Sequence, residues 1–149
     1  SGTLQITVAL FIDSWGWLAL EDSNDPDHDR VSKFYRVFRQ SNGRALTTDY
    51  VLDETLTLLF RRRPFAEAQR FVEGLLAAAA DGYLTIQRIT SPRFTRAWHM
   101  RLRYIDKPDI SFTDLTSFVV VQEEDISEVL TNNHHFSQVN LGFTAVPAP

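Results

Sequence analysis

Apolar residues follow two different spacings along this chain: short continuous runs and repeats of three or four residues. The run Thr7–Ile12 is continuous and stops at Asp13, which predicts a buried strand. Apolar residues recur at helical spacing within Asp27–Gln40 and within Tyr50–Arg62, which predicts two helices that each bury one face. Strands that alternate with helices are typical of an α/β domain with a mainly parallel sheet.

Glycine, proline and capping residues indicate where these elements end. Asn42-Gly43 closes one helix, and Pro64 ends a second helix and opens a third. Ser91-Pro92 is the pattern of an N-cap followed by proline in the first helical turn. The other predicted elements are a short helix from Ser14, strand Arg44–Thr47, a helix from Pro64 to Ala80, strand Tyr83–Ile89, a helix from Ser91 to about Tyr104, helix Leu115–Val121, strand Val129–Thr131 and edge strand Gly142–Val146.

Size and composition favour one folded domain over residues 1–149. Hydrophobic residues make up 44% of the chain, which is enough apolar surface to oppose disorder. The absence of cysteine excludes disulfides, thiolate catalysis and Cys-based zinc sites, and it suits a reducing compartment, so we expect a cytoplasmic protein. No apolar run reaches the roughly 18 residues that a membrane span needs.

The net charge of −4 narrows the functional classes further. A protein that holds nucleic acid on a broad basic face would usually be more positive, so bulk electrostatic binding is disfavoured. A nuclease is still compatible with this charge, because carboxylates that hold a metal ion themselves lower the net charge.

Three acidic residues are placed where a parallel sheet would bring them together. Asp13 ends a strand, Glu54 lies in the first turns of a helix after a strand, and Asp114 lies at a helix start. Ligand sites in such sheets form outside the carboxyl ends of the strands. Clustered carboxylates repel one another unless a cation such as Mg²⁺ or Mn²⁺ neutralises them, and water bound to that cation could attack a phosphodiester.

Each of these residues also has an ordinary structural interpretation. Asp114 could complete a capping box with Ser111, Asp13 could serve a turn, and Glu54 could be a solvated helix residue. Taken singly, the three positions therefore do not decide between structure and chemistry.

The local strings favour chemistry, because four of them resemble the PIN domain family, especially its VapC-like toxins. The similarity extends from about Leu10 to Phe143, and it depends on the order of the strings and not on any one of them. The strings are Phe11-Ile12-Asp13-Ser14, the stretch from Thr47 to Thr55, the stretch from Asp106 to Asp114 with Ser117-Phe118 after it, and Leu130-Thr131-Asn132-Asn133-His134-His135-Phe136 followed by Gly142-Phe143.

This resemblance implies a PIN-like three-layer α/β fold, with a parallel sheet of about five strands flanked by helices. It implies an endoribonuclease that depends on Mg²⁺ or Mn²⁺ and cleaves single-stranded RNA. The usual partner in the family is an antitoxin whose peptide covers the active groove, and homodimers are common. The residues that match the family site are Asp13, Glu54, Asp114 and the fourth position Asn133, with Asp106 as a further acidic residue and Ser14 and Thr113 as hydroxyl residues beside the metal.

One position departs from the family pattern. Asn133 stands where VapC-like proteins usually have Asp, and an amide can offer an oxygen to a metal but no charge. A second metal would be held less tightly unless Asp125 or Asp106 compensates. An alternative hypothesis is therefore a degenerate PIN domain that binds RNA or a protein without cleaving. A metal-dependent phosphatase on an unrelated α/β fold ranks below both, because the strings would then be coincidental.

Basic, histidine and tryptophan clusters rank lower as functional signals. Arg61-Arg62-Arg63 could bind phosphate, but a solvated helix end is the more ordinary explanation. Zinc at His134-His135 is disfavoured without cysteine, and His135 is expected to pack or to orient its loop. Three tryptophans could stack on bases, although packing in the core or at a dimer interface is favoured for them: Trp15, Trp17 and Trp98.

Overall fold

The computed structural model describes residues 8–133, 135–139 and 141–148, and it contains a five-stranded parallel sheet in the order β3-β2-β1-β4-β5. This confirms the predicted fold class, a parallel sheet of about five strands flanked by helices. The strands are β1 Ala9–Ile12, β2 Arg44–Thr48, β3 Leu84–Gln87, β4 Glu128–Leu130 and β5 Thr144–Val146. The helices are α1 Ser14–Glu21, α2 His28–Gln40, α3 Asp49–Arg62, α4 Phe65–Ala80, α5 Ser91–Arg103, α6 Phe112–Glu123 and α7 His135–Gln138.

The strand order determines where the helices lie. The chain moves outward from β1 to β2 and β3, then returns across the sheet to β4 and β5. Right-handed crossovers therefore place α1 to α4 on one face and α5 and α6 on the other. The carboxyl ends of β1 and β4 are adjacent at the point where the order reverses, and parallel sheets bind ligands at such points.

Strand β1 is the centre of the sheet and of the core. Leu10, Phe11 and Ile12 are fully buried, which explains why this strand is continuously apolar instead of alternating. The predicted strand started at Thr7, which lies outside the described residues, and the observed strand starts at Ala9.

Capping side chains position the starts of the helices. Thr48 accepts a hydrogen bond from the Val51 N–H and starts α3, and Ser111 accepts one from the Asp114 N–H and starts α6. The N-cap of α5 is Thr90 and not the predicted Ser91, because the Thr90 side chain accepts from the backbone three residues later. Within the described part of the chain, no helix is long and apolar enough to cross a membrane.

Two contacts fix α1 against the sheet. The Trp17 indole N–H donates to Thr47 Oγ1 at 3.2 Å, and the Trp17 side chain is only 2% exposed, so this tryptophan belongs to the core as expected. Gly16 lets the helix approach β4, because a Cβ atom there would lie 2.9 Å from Leu130 Cγ. The start of α1 is thereby held at the edge of the sheet where β1 and β4 end.

Candidate active site

A depression of about 560 Å³ opens at the carboxyl ends of β1 and β4, and we call it the acidic pocket. Four carboxylates, one arginine and one histidine lie in its walls. The residues that line it are Asp13, Ser14, Trp15, Leu18, Glu54, Leu58, Arg62, Asp109, Ser111, Asp114, Asn132, Asn133 and His135. The structure thus brings together Asp13, Glu54, Asp114 and Asn133, the four residues that the sequence proposed as catalytic.

Asp13 and Asp114 form the buried floor of the acidic pocket. Asp13 follows β1, and its N–H donates to the Leu130 carbonyl at 3.2 Å, so β4 holds its backbone in place. Asp114 lies in the first turn of α6, and both side chains are nearly inaccessible, at 5% and 7% exposed. Two carboxylates at such depth carry a desolvation cost that an ordinary turn or cap does not require.

A chain of three hydrogen bonds joins these two carboxylates. Thr131 Oγ1 donates to Asp13 Oδ2 at 2.8 Å and accepts from the Asn133 N–H at 2.9 Å. Asn133 Nδ2 then donates to Asp114 Oδ2 at 2.9 Å. Sequence reasoning missed Thr131 as a site residue, although its place at the end of a predicted strand, on the same sheet edge as Asp13, was an available signal.

The electrostatics of the pocket follow from burial and from mutual repulsion. Burial, reinforced by the nearby Asp114 carboxylate, raises the pKa of Asp13 to about 7. Burial also raises the pKa of Asp114, against the opposing effects of the Asn133 hydrogen bond and the positive influence of His135. Burial and mutual repulsion therefore favour protons on these carboxylates unless a cation neutralises them.

Glu54 completes the acidic group from the rim of the pocket. Its side chain on α3 is exposed, yet partial loss of water and the charge of Asp114 raise its pKa. The Ser14 hydroxyl is close enough to lower that pKa somewhat, although no regular hydrogen bond joins them, and its buried Oγ has no partner among the described residues. A buried oxygen without a partner beside three carboxylates fits the donor set of a hard divalent cation.

The carboxylates of the acidic pocket, as the structure describes them, are too far apart to ligate one ion together. In the part of the chain that the structure describes, no three carboxylate or imidazole groups are near enough to hold a metal together. Asp13 and Asp114 are fixed by hydrogen bonds, whereas Glu54 is exposed and can turn. A cation held by all three carboxylates would thus require Glu54, and not the two buried carboxylates, to change position.

Two further acidic residues proposed from the sequence lie away from the pocket. Asp106 is 68% exposed and accepts from Lys107 Nζ at 3.0 Å, so the structure places Asp109, and not Asp106, at the pocket wall. Asp106 and Asp109 share one irregular loop, and only the path of that loop decides which one faces the site. Asp125 lies in the turn after α6, with a positive φ of 53°, and it is not among the pocket residues.

Of the two hydroxyl residues predicted beside the metal, only one lies in the acidic pocket. Ser14 lines the acidic pocket, whereas Thr113 lines a separate depression beside Asp49 and Tyr50. The backbone N–H of His135 donates to Asn133 Oδ1 at 3.0 Å, so this bond orders the loop, and the packing or orienting role of the His135 side chain stays a prediction. His134 of the histidine pair lies outside the described residues.

A second depression, about 690 Å³ in volume, lies against another face of α1, and we call it the apolar cleft. Its walls come from α1, α2 and α4, and its charged groups lie among aromatic and aliphatic ones. The residues that line it are Trp17, Leu20, Glu21, Ser23, Tyr35, Arg63, Glu67, Arg70, Phe71, Gly74, Leu75 and Ala78. Arg63 donates to Glu21 at 2.9 Å and also pairs with Glu67, so much of this charge is internally balanced.

Comparison with known proteins matches residues 10–141 to the PIN domain family. The 23S rRNA-specific endonuclease VapC20 of Mycobacterium tuberculosis is 31% identical over 140 residues, which cover 92% of this chain and 97% of that relative. The crystal structure of Mycobacterium tuberculosis VapC20, described as a toxin that cleaves the sarcin–ricin loop, superposes with a TM-score of 0.76 at 27% identity, over 92% of this chain and 98% of VapC20. VapBC2 from Rickettsia felis, solved with a promoter DNA fragment, shares the fold at a TM-score of 0.69 and 13% identity, over 93% and 98% of the two chains.

Proposed function

The chain belongs to the PIN domain family, and we propose that it is a metal-dependent endoribonuclease that cleaves single-stranded RNA as the toxin of a toxin–antitoxin pair. The observation that carries the proposal is the convergence of Asp13, Glu54 and Asp114 in one pocket at the sheet edge. The similarity to an endonuclease toxin over nearly the full length of both chains supports the reaction type.

The residues of the acidic pocket fit Mg²⁺ or Mn²⁺, and Asp13, Glu54 and Asp114 would hold the ion. When bound, such a cation supplies positive charge to the scissile phosphate and makes a bound water more acidic. Thr131 and Asn133 keep the two buried carboxylates in fixed orientations, so little reorganisation of the floor is needed. Loss of protons from the carboxylates accompanies metal binding, because carboxylates ligate in the ionised form.

Asn133 is the residue that supports the alternative function, a domain that binds RNA or a protein without cleaving RNA. Its amide donates to Asp114 where the family pattern has a carboxylate, so this position adds no negative charge toward a second ion. Tight RNA or protein binding without turnover, together with no Mn²⁺ binding at millimolar concentration, would favour this alternative.

We propose that the antitoxin segment binds in the apolar cleft. The cleft has an aromatic and aliphatic floor with balanced charges at its rim, which suits the apolar face of a partner helix. Leu18 and Arg62 contribute both to the acidic pocket and to a small depression that also contains Glu21 and Arg63 of the cleft region. A segment bound in the cleft can therefore continue over α1 and cover the acidic pocket.

We also propose a homodimer through α5. Three large apolar side chains lie exposed along one stripe of this helix and a fourth lies just beyond its end, at 47, 50, 57 and 84% exposed: Phe94, Trp98, Leu102 and Ile105. Arg96 near one end of the stripe pairs with Glu123, and Asp106 beyond the other end pairs with Lys107, so the charges beside the stripe are already compensated within one chain and the exposed apolar side chains carry the proposal. Light scattering of Leu102→Glu against the native chain tests this, and an unchanged mass would contradict it.

Cleavage of labelled single-stranded RNA in Mn²⁺ or Mg²⁺ tests the enzyme assignment, with 23S rRNA among the substrates because VapC20 is named for it. We expect Asp13→Asn to slow cleavage about a thousandfold, since it removes a charged metal ligand worth several kcal/mol in the transition state. Asp106→Asn is the matched control and should cleave like the native chain. Equal cleavage by Asp13→Asn would overturn the assignment.

A further inference from the structure

We propose that Arg62 and Trp15 form a nucleotide-binding subsite of the acidic pocket, in which Arg62 binds an RNA phosphate and Trp15 stacks on a base. The inference rests on the proposed ribonuclease function and specifies how its substrate is held. Both residues line the pocket, and neither belongs to the carboxylate cluster.

Helix α3 extends the pocket away from the carboxylates. Glu54, Leu58 and Arg62 lie four residues apart along it, so they share one face, and all three line the pocket. Eight residues of helix rise correspond to about 12 Å between Glu54 and Arg62. Arg62 is therefore placed for a phosphate next to the scissile one and not for the scissile phosphate itself.

The three arginines at the end of α3 differ in their contacts. Arg63 is engaged by Glu21, Asp22 and Glu67, so its charge is already compensated. Arg62 is exposed at the pocket and has no ion pair among the described residues, and Arg61 is exposed but does not line the pocket. Only Arg62 thus combines an uncompensated guanidinium with the site, and guanidinium groups match phosphate geometry.

The three tryptophans likewise differ in burial and in whether they line the pocket. Trp17 is buried, and Trp98 lies on the exposed stripe of α5, whereas Trp15 is half-buried in the pocket wall directly after Ser14. The Arg30 guanidinium lies 5.9 Å from the centre of the Trp15 ring, and Arg30 does not line the pocket. Trp15 therefore contributes an aromatic side chain to the pocket wall, and Arg30 contacts its ring without lining the pocket.

The apolar side chains between these two residues suit a nucleotide. Leu18 lies one turn after Trp15 on α1, Leu58 lies one turn before Arg62 on α3, and both leucines line the pocket. A surface with aromatic, aliphatic and cationic groups side by side binds single-stranded nucleic acid with little sequence preference. The acidic floor, by contrast, repels phosphate and acts on it only through a cation.

The test measures RNA affinity in the cleavage-deficient Asp13→Asn background with Mn²⁺, by anisotropy of fluorescein-labelled oligoadenylate and of an abasic ribose-phosphate oligomer. We expect Arg62→Gln to weaken binding of both oligomers and to reduce the slope of log affinity against log salt by about 0.7. We expect Trp15→Leu to weaken oligoadenylate roughly 5- to 100-fold and to leave the abasic oligomer unchanged.

Arg61→Gln and Phe65→Leu are the matched controls, because they remove an exposed arginine and an exposed aromatic ring outside the pocket. Arg62→Lys should recover part of the affinity lost in Arg62→Gln, which separates a charge effect from misfolding. If the native chain cleaves RNA but the pocket variants behave like their controls, the subsite is wrong and the ribonuclease assignment stands. If the native chain neither binds nor cleaves RNA, both proposals fail.

Discussion

The acidic pocket and the apolar cleft lie on different faces of α1 and differ in how their charged side chains are compensated. In the cleft, Arg63 pairs with Glu21 and Glu67, so acids and bases balance within the protein. In the pocket, four carboxylates share the walls with Arg62 and His135, and the two deepest carboxylates have raised pKa values. This contrast supports the proposals of a cation in the acidic pocket and of an apolar partner surface in the cleft.

The two regions also differ in how their buried residues affect the stability of the folded chain. Trp17 and Leu75 in the cleft contribute to the core, so their burial stabilises the folded chain. Asp13 and Asp114 in the pocket oppose folding when ionised without a metal, and such a cost is typical of functional sites. Variants that act on one region alone can therefore test whether the separation is real.

The largest expected effect concerns Asp13 and pH. The pKa of Asp13 in the folded chain is about 7, above its ordinary value of 3.8, so the folded chain favours the protonated carboxyl. The contribution of Asp13 to the free energy of unfolding is therefore fully present below about pH 4 and is lost as the pH rises through 7. Asp13→Asn cannot ionise and should stabilise the metal-free chain at pH 8 by at most about 4 kcal/mol, with little difference near pH 4. Urea unfolding in EDTA measures this, and equal stability of variant and native chain at pH 8 would contradict it.

A change in the cleft should affect the partner and not the RNA. Gly74 lines the cleft on α4, and a tyrosine there would occupy the space of the antitoxin segment. We expect Gly74→Tyr to weaken antitoxin binding at least about 100-fold, or roughly 2.7 kcal/mol, with RNA cleavage unchanged. Calorimetry with an antitoxin that binds the native chain measures the first effect. Loss of cleavage in this variant would show that the two regions are not separate.

A change at Asn133 should sharpen the contrast by adding charge to the pocket. Asn133→Asp replaces the donor to Asp114 with a carboxylate, which restores the usual residue of the family at this position. We expect Mn²⁺ affinity to rise about tenfold, or roughly 1.4 kcal/mol, while the metal-free chain becomes less stable through repulsion. Titration calorimetry with Mn²⁺ measures the affinity. An unchanged Kd would mean that residue 133 does not contribute to metal binding.

The smallest expected effect is that of Gly74→Ala, which also serves as the control for the tyrosine variant. A Cβ atom at this position meets nothing within 4 Å, and the residue lies inside a helix. We expect a gain of about 0.5–1 kcal/mol in the free energy of unfolding, with antitoxin binding and RNA cleavage both unchanged. Thermal or urea unfolding detects it, and destabilisation would mean that the cleft is tighter than the structure shows.

Local patterns in the sequence were enough for most of the fold. The spacing of apolar residues predicted α2 and α3 to within one residue at each end, and Pro64 placed the boundary between α3 and α4. These elements depend on periodicity and capping, which are encoded in neighbouring residues. The start of α5 was misplaced by one residue, because Thr90 and Ser91 are both good caps and only the backbone path selects between them.

By itself, the sequence determined the five strands and every described helix except the short α7, the parallel class of the sheet and the candidate acids Asp13, Glu54 and Asp114. The tertiary structure alone decided that Asp109 and not Asp106 faces the pocket, that Thr131 bridges Asp13 to Asn133, and which arginine and tryptophan of their groups face the pocket. The reason is physical: periodicity fixes which side of an element is buried, whereas loop paths and contacts between distant residues depend on how all the elements pack together.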